Sequence, residues 1–302
     1  MKKITILITG GTGFIGSHLI EKCIQKKWNI ISLSLNKRTK KKGVKSINLN
    51  ISNKNLLLRK LSQFKIDYIV NLAGHINHYE KKKTSETHYR GCKNLIDLAV
   101  KKKIKKFIQI GSSVEYGFLK SPLSEDKKLS IKKLKSIYGI SKLKASNYLI
   151  KISKEKSLKY IILRPFLIYG PGQTTNRLIP STIVNCLKNE SFSCSDGNQT
   201  RDFLHINDFV NLVIKCIQKE NIYNKIFNAG SGRPVKVKKI IKSIQKLIRK
   251  GNPIFGKILL RKDEPLSLYP EIKNTLKYFN WRPKKLLLNG LKETIKYYKK
   301  LI

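Results

Sequence analysis

Apolar runs alternate with amphipathic stretches along the first half of the chain, the pattern of βαβ units feeding a parallel sheet. Ile4 to Thr9 reads as a buried strand, and Phe14 to Lys26 follows with Phe14, Ile15, Leu19, Ile20 and Cys23 at helical spacing. Further strands are expected at Ile30 to Leu35, Ile47 to Ile51, Tyr68 to Leu72, Phe107 to Ser112 and Tyr160 to Pro165. Helices are expected between them, around Asn55 to Gln63, Thr87 to Lys101 and Ser136 to Ser153. From about Phe166 the pattern loosens, and Pro171, Pro180, Pro234, Pro253, Pro265, Pro270 and Pro283 punctuate shorter elements. The expected fold class is α/β: a doubly wound parallel sheet over residues 1–165, then a smaller C-terminal α/β lobe over 166–302, some of whose segments return to the first domain.

Composition narrows the function classes. The chain has 302 residues, 40% of them hydrophobic, enough to bury a substantial core and too apolar for wholesale disorder. No apolar run reaches the roughly 18 residues of a membrane span. The start, Met1 to Ile8, superficially resembles a signal peptide but runs at once into the turn Thr9-Gly10-Gly11-Thr12-Gly13, with no small-residue cleavage site. A soluble, cytoplasmic protein with no membrane partner is expected. Five scattered cysteines, none in CxxC spacing, point to free thiols rather than disulfides or zinc. His75, His78 and His88 lack a surrounding carboxylate or cysteine cluster, so no metal site is expected.

The charge, 64 basic against 18 acidic residues for a net +46, would attract polyanions in a salt-dependent way. A dedicated nucleic-acid binder concentrates its basic residues, with interleaved aromatics, on one element. Here lysines occur along almost the whole sequence, so no specific nucleic-acid partner is expected. The charge does suit an anionic ligand with several phosphates.

Two motifs carry chemistry. Gly10-Gly11-Thr12-Gly13-Phe14-Ile15-Gly16 lies between the first strand and the first helix. Gly10 permits the tight turn, Gly13 lets the backbone approach a pyrophosphate, and Gly16 lets helix and strand pack closely. The backbone N–H groups of the helix start are then offered to phosphates. An acidic residue that would bond a ribose 2′-hydroxyl is missing from the stretch Ser32 to Arg38, where Asn36 is a cofactor-binding candidate and Arg38 with Lys37 could hold a 2′-phosphate. NADP(H) is therefore favoured, with NAD(H) open. Tyr138 and Lys142, four apart at the start of an expected helix, share one face. A free phenol has a pKa of about 10. A nearby ammonium and a positive nicotinamide would favour the phenolate, letting Tyr138 exchange a proton with a substrate hydroxyl while hydride moves.

At this point the chain resembles the extended short-chain dehydrogenase/reductase family, in particular its NAD(P)-dependent nucleotide-sugar epimerases, dehydratases and reductases. The resemblance covers nearly the full length. It rests on the glycine loop, Asn71 to Gly74, Gly111 to Gly117, Tyr138/Lys142, Arg164-Pro165 with Tyr169 to Gly172, and Arg201 to His205. It implies a Rossmann-type sheet and a C-terminal lobe that binds a nucleotide-diphosphate sugar. It also implies that Ser112 hydrogen-bonds the reacting oxygen beside Tyr138, and that Lys142 holds the nicotinamide ribose as well. Phe14, Ile15, Leu72, Ala73, Gly74, Asn50 and Pro165 with Phe166 would line the cofactor. Ser113, Asn176, Arg177, Arg201 and Arg261 would contact the nucleotide sugar, arginine being suited to phosphate by its bidentate fork. A homodimer through the Thr87 to Lys101 and Ser136 to Ser153 helices is expected.

Three departures from the family pattern matter. His88 stands where the family commonly has Asn, and Asn50 where an Asp often holds adenine. Val114 stands where 4,6-dehydratases place a carboxylate; Glu115 is one step further, and on a strand-like segment it would face the other side. A dehydratase is disfavoured. Two enzymatic readings remain, both centred on sugar C4: reduction of a nucleotide-linked 4-keto-6-deoxyhexose, which is preferred, and 4-epimerisation. A non-catalytic dinucleotide sensor is the third, and it has no need of the Ser112/Tyr138/Lys142 set.

Overall fold

The computed structural model describes residues 3–35, 38–75, 77, 79–260 and 264–302. The chain divides into two compact units: 1–117 with 125–165 and 210–227, and 118–124 with 166–209 and 228–302.

The first unit is built on β1 (Thr5–Thr9), β2 (Asn29–Ser34), β3 (Val44–Asn48), β4 (Tyr68–Asn71), β5 (Lys106–Ile110) and β6 (Tyr160–Pro165). With the strand Lys225–Ala229 beside β6, they form a seven-stranded sheet in the order Lys225–Ala229, β6, β5, β4, β1, β2, β3. The pairings among β1 to β6 are all parallel. Helices α1 (Phe14–Gln25), α2 (Lys54–Leu61), α3 (Lys81–Ser85), α4 (Cys92–Lys101) and α5 (Ile137–Lys156) belong to the same unit. This is the expected Rossmann-like α/β fold. The central strands read as apolar runs because both faces of the sheet are covered; Ile6, Leu7, Ile8, Ile69, Val70, Phe107, Ile108, Ile161 and Ile162 are all fully buried. From β1 the chain winds outward through β2 and β3, then returns to place β4 on the other side of β1. That reversal opens a crevice at the carboxyl ends of β1 and β4, where ligands bind in open α/β sheets.

Three local expectations are corrected. The third strand is Val44–Asn48 rather than Ile47 to Ile51. Its register, Ile30↔Val44 to Ser34↔Asn48, runs out where β2 ends, and the Asn50 side chain then turns the chain by accepting from Ser52 N and Oγ. The helix expected over Thr87 to Lys101 is interrupted: α3 leads into a π-helical turn, Glu86–Gly91, before α4 begins. The segment after Ser112 is not strand-like but a 3₁₀ turn, Ser113–Tyr116. A reciprocal cap forms it: Ser112 Oγ accepts from Val114 N, while Glu115 accepts from Ser112 N.

The second unit contains a four-stranded sheet whose path runs Pro234–Lys236, Thr200–His205, Ser267–Leu268, with Leu167–Tyr169 also paired to Thr200–His205. Its core gathers Tyr169, Ile179, Ile183, Phe203, Ile240, Ile244, Leu291 and Ile295 from this sheet and its helices. All five cysteines are free and buried, and burial pushes the thiols of Cys23 and Cys92 up to about 12. Among the described residues no helix is long and apolar enough to cross a membrane.

Candidate active site

The glycine loop follows β1 directly. Gly10 has φ +66°, and a Cβ there would lie 2.9 Å from the carbonyl oxygen of Leu72. A Cβ on Gly16 would lie 2.2 Å from the carbonyl oxygen of Gly10, closer than any side chain tolerates. The loop therefore needs glycine for backbone reasons at both positions. Gly13 is the N-cap of α1 and is exposed; no side chain caps this helix, and its first turn carries no acidic residue. Phe14 and Ile15 open the helix half-buried. An uncapped helix start over a turn of small residues is a cradle for an anion. These residues fit the pyrophosphate of a dinucleotide.

The loop after β4 closes against this turn. Thr9 Oγ1 accepts from the backbone N–H groups of Leu72 and Ala73, and donates to Asn71 Oδ1 at 2.7 Å. The ends of β1 and β4 are thus tied by one buried Thr–Asn pair, and Asn71 reaches on to Gln109 of β5.

At the end of β5 stands Ser112, and the first turn of α5 carries Tyr138. Ser136 caps that helix by accepting from Gly139 N at 3.1 Å. Gly139 lies so close to the 3₁₀ turn that a Cβ on it would approach the Val114 carbonyl oxygen to 3.2 Å. The turn bearing Ser112 and the turn bearing Tyr138 are therefore packed backbone to backbone. One helical turn on, Lys142 is buried and its Nζ donates to the carbonyl of Ile110 at 2.7 Å. The same ammonium lies 5.9 Å from the centre of the Tyr138 ring. The structure brings Ser112, Tyr138 and Lys142 together.

Behind them lies a network that sequence reasoning missed. Glu115 is fully buried; Oε1 accepts from Ser112 N at 2.8 Å, and Oε2 accepts from Ser146 Oγ and from Arg164 Nε, both at 3.0 Å. The Arg164 guanidinium also covers the ring of Tyr116 at 4.8 Å. One buried ion pair thus joins the 3₁₀ turn, α5 and β6. Its available signal was the spacing Ser-x-x-Glu from Ser112 to Glu115, which is a capping box. Ser113 is buried in the same turn, and Pro165 ends β6 half-buried.

Other expected site residues are placed as follows. Arg38 is exposed beyond the end of β2, where Ser34 Oγ accepts from Thr12 Oγ1 at 3.1 Å. Asn50 is exposed, its carbonyl oxygen engaged by Ser52. In the second unit, Asn176 and Arg177 are exposed, Arg177 as the N-cap of the helix Leu178–Leu187. Arg201 is buried and already committed, to Glu264 at 2.7 Å and to the carbonyl of Thr200 at 2.9 Å. Asn36, Lys37, His78 and Arg261 lie outside the described residues.

A parallel α/β sheet with a glycine loop at its reversal point, Ser112 after β5 and Tyr138 and Lys142 on α5 is the arrangement of a dinucleotide-binding fold. The family model described as "NAD dependent epimerase/dehydratase family" matches residues 6–230, and the chain belongs to that family of enzymes. Among its relatives is a putative UDP-glucose 4-epimerase of Methanocaldococcus jannaschii, 28% identical, the match covering 97% of this chain and 98% of the relative. A dTDP-4-dehydro-6-deoxyglucose reductase of Escherichia coli is also 28% identical, with 98% of each covered. The crystal structure of a UDP-glucose 4-epimerase with UDP-glucose from Thermotoga maritima superposes with a TM-score of 0.92 at 26% identity, covering 99% of both chains.

Proposed function

We propose that this chain oxidises and reduces C4 of a nucleoside-diphosphate sugar, using a nicotinamide dinucleotide held on the glycine loop, and that the net reaction is 4-epimerisation. The observation that carries the reading is the convergence of Ser112, Tyr138 and buried Lys142 on the sheet end that also carries the glycine loop. When bound, the dinucleotide supplies and accepts hydride. Gly10, Gly13 and Gly16 with the start of α1 hold its pyrophosphate, Leu72 and Ala73 border it, and Pro165 lies at the neighbouring strand end. Tyr138 takes the proton of the C4 hydroxyl as the alcohol becomes a ketone, and returns one as the alcohol re-forms. Lys142, an ammonium 5.9 Å from the centre of that ring and held on the Ile110 carbonyl, orients the site and contacts the ribose. Ser112 donates to the same sugar oxygen. Ser113, Asn176 and Arg177 contact the nucleotide sugar. Arg201 can take that role only by sharing its guanidinium with Glu264.

Dehydration has little support: Val114 cannot exchange protons, and both oxygens of Glu115 are occupied by buried partners. Between the two C4 readings, sequence alone favours reduction. The full-length likeness to 4-epimerases, one of them solved with UDP-glucose, moves our preference to epimerisation. Reduction stays as the second reading, favoured by exposed Arg38 and by the equally similar 4-keto-sugar reductase. The same feature at the end of β2 supports NADP(H), whereas the family description names NAD.

The test is to incubate the purified protein with UDP-glucose, or with a nucleotide-linked 4-keto-6-deoxyhexose, and each dinucleotide. Epimerisation predicts the C4 epimer with no net change in reduced nicotinamide. Reduction predicts one reduced nicotinamide consumed per ketone. A product changed at a position other than C4 would overturn the C4 chemistry; binding of dinucleotide with no turnover of any nucleotide sugar would favour a sensor.

A further inference from the structure

Three neighbouring strands carry a polar residue in one row of an otherwise apolar sheet. Thr9 of β1 stands in register with Asn71 of β4, and Asn71 with Gln109 of β5, while Leu33 and Ile162 close the row on either side. All three polar side chains are buried, where an amide persists only if its hydrogen bonds are made. They are made, and in one direction. Thr9 Oγ1 accepts from the backbone N–H groups of Leu72 and Ala73, so its own proton goes to Asn71 Oδ1 at 2.7 Å. That orients the Asn71 amide with its nitrogen toward Gln109 Oε1, 2.8 Å away, and Cys92 Sγ donates to the same oxygen at 3.1 Å. The Gln109 nitrogen is thereby turned to the carbonyl of Ile110, at 3.1 Å. On this same carbonyl Lys142 Nζ docks at 2.7 Å.

We propose that Gln109 is a positioning residue for Lys142: its amide takes one lone pair of the Ile110 carbonyl and so assigns the ammonium to the other. The proposal rests on the reading of Lys142 as the group that contacts the dinucleotide ribose. A carbonyl oxygen has two lone pairs and an ammonium three donors. With Gln109 on one lone pair, Lys142 uses a single N–H on the second and keeps two for the site. Without the Gln109 amide the carbonyl has a free lone pair, and the flexible lysine stem lets the ammonium follow it away from the ribose. At its other end the row reaches the Leu72–Ala73 loop through Thr9. The ammonium and the loop bordering the cofactor are thus registered to one another by side chains, in addition to the backbone bonds of the sheet. Leu33 and Ile162 fill the same row by packing, so the sheet itself does not require an amide at position 109.

The test is a double-variant cycle on the full chain: Gln109→Met, Lys142→Met and the two together. Affinities for NADH and NADPH are read by fluorescence titration, and kcat and KM from initial rates. Alone, Gln109→Met should weaken dinucleotide binding and lower kcat, each on the order of five- to tenfold, with KM for the nucleotide sugar nearly unchanged. With Lys142→Met already present, the same replacement should change either quantity by less than about twofold. Equal losses in both backgrounds overturn the proposal, because they mark a role in the sheet alone. So does a Gln109→Met protein with the parent's affinity and rates. If Gln109→Met fails to fold, the parent and Lys142→Met proteins still decide: the side-chain amide protons of Gln109, followed by NMR, should shift when Lys142 leaves the shared carbonyl, and signals that stay in place contradict the proposal. Non-additive affinities without turnover of any nucleotide sugar would support the positioning while refuting the C4 chemistry.

Discussion

Lys142 Nζ and the carbonyl oxygen of Ile110 are 2.7 Å apart, a buried bond that ties the fifth helix to the last residue of the fifth strand, two positions before Ser112. A lysine so placed has two consequences when removed. Its carbonyl partner loses a charge-assisted bond, worth about 1.5–3 kcal/mol, and keeps the Gln109 side-chain amide at 3.1 Å, while the Tyr138 ring loses the ammonium 5.9 Å from its centre. Lys142→Met should therefore lower the melting temperature by a few degrees and reduce turnover on the order of 10²-fold or more. Thermal melts and initial rates measure both. Unchanged rates in a folded variant would remove Lys142 from the chemistry.

Glu115 and Arg164 form a buried pair at 3.0 Å with side chains 0% and 3% exposed. Breaking one side leaves an uncompensated charge, so Glu115→Ala should destabilise the protein by about 3–5 kcal/mol in denaturant unfolding. Replacing both partners together, Glu115→Met with Arg164→Met, should cost much less than either single change. A single-variant loss below about 1 kcal/mol would mean that the pair is solvated in solution.

Arg38 is the described cation nearest in sequence to the end of the second strand, and residues 34–40 carry no acid. Arg38→Ala should weaken NADPH about tenfold or more, the worth of a charge-assisted contact to phosphate, and leave NADH within about twofold. Titrations of both reduced dinucleotides measure this. Equal losses for the two would contradict a 2′-phosphate contact.

Much of the first unit was legible because its periodicity is strong. Strands of consecutive buried residues such as Tyr68–Asn71 and Tyr160–Pro165 were read within a residue of their ends, and Phe14–Gln25 likewise. The glycine loop was legible for a local reason, since Gly10 and Gly16 serve backbone contacts that no other residue permits. What escaped depends on partners distant in sequence. The π-helical turn at Glu86–Gly91 has no sequence rule; it keeps ordinary helical composition and shifts only the register. Glu115 was read as if on a strand because the apolar run of Phe107 to Ile110 leads directly into it, and its partners Ser146 and Arg164 lie 31 and 49 residues away. Arg201 looked like a phosphate ligand by residue type, but its neighbour Glu264 is 63 residues on. Side-chain type suggests a partner class, and only the fold decides which partner arrives.

The proposed chemistry turns on one proton, and Tyr138→Phe removes the hydroxyl that exchanges it while keeping the ring that packs on His88. Dinucleotide affinity and conversion of the nucleotide sugar should be measured on the same preparation beside the parent protein. Affinity should stay within about twofold of the parent's and turnover should fall by about 10²–10⁴-fold. Turnover equal to the parent's, at equal affinity, would contradict it.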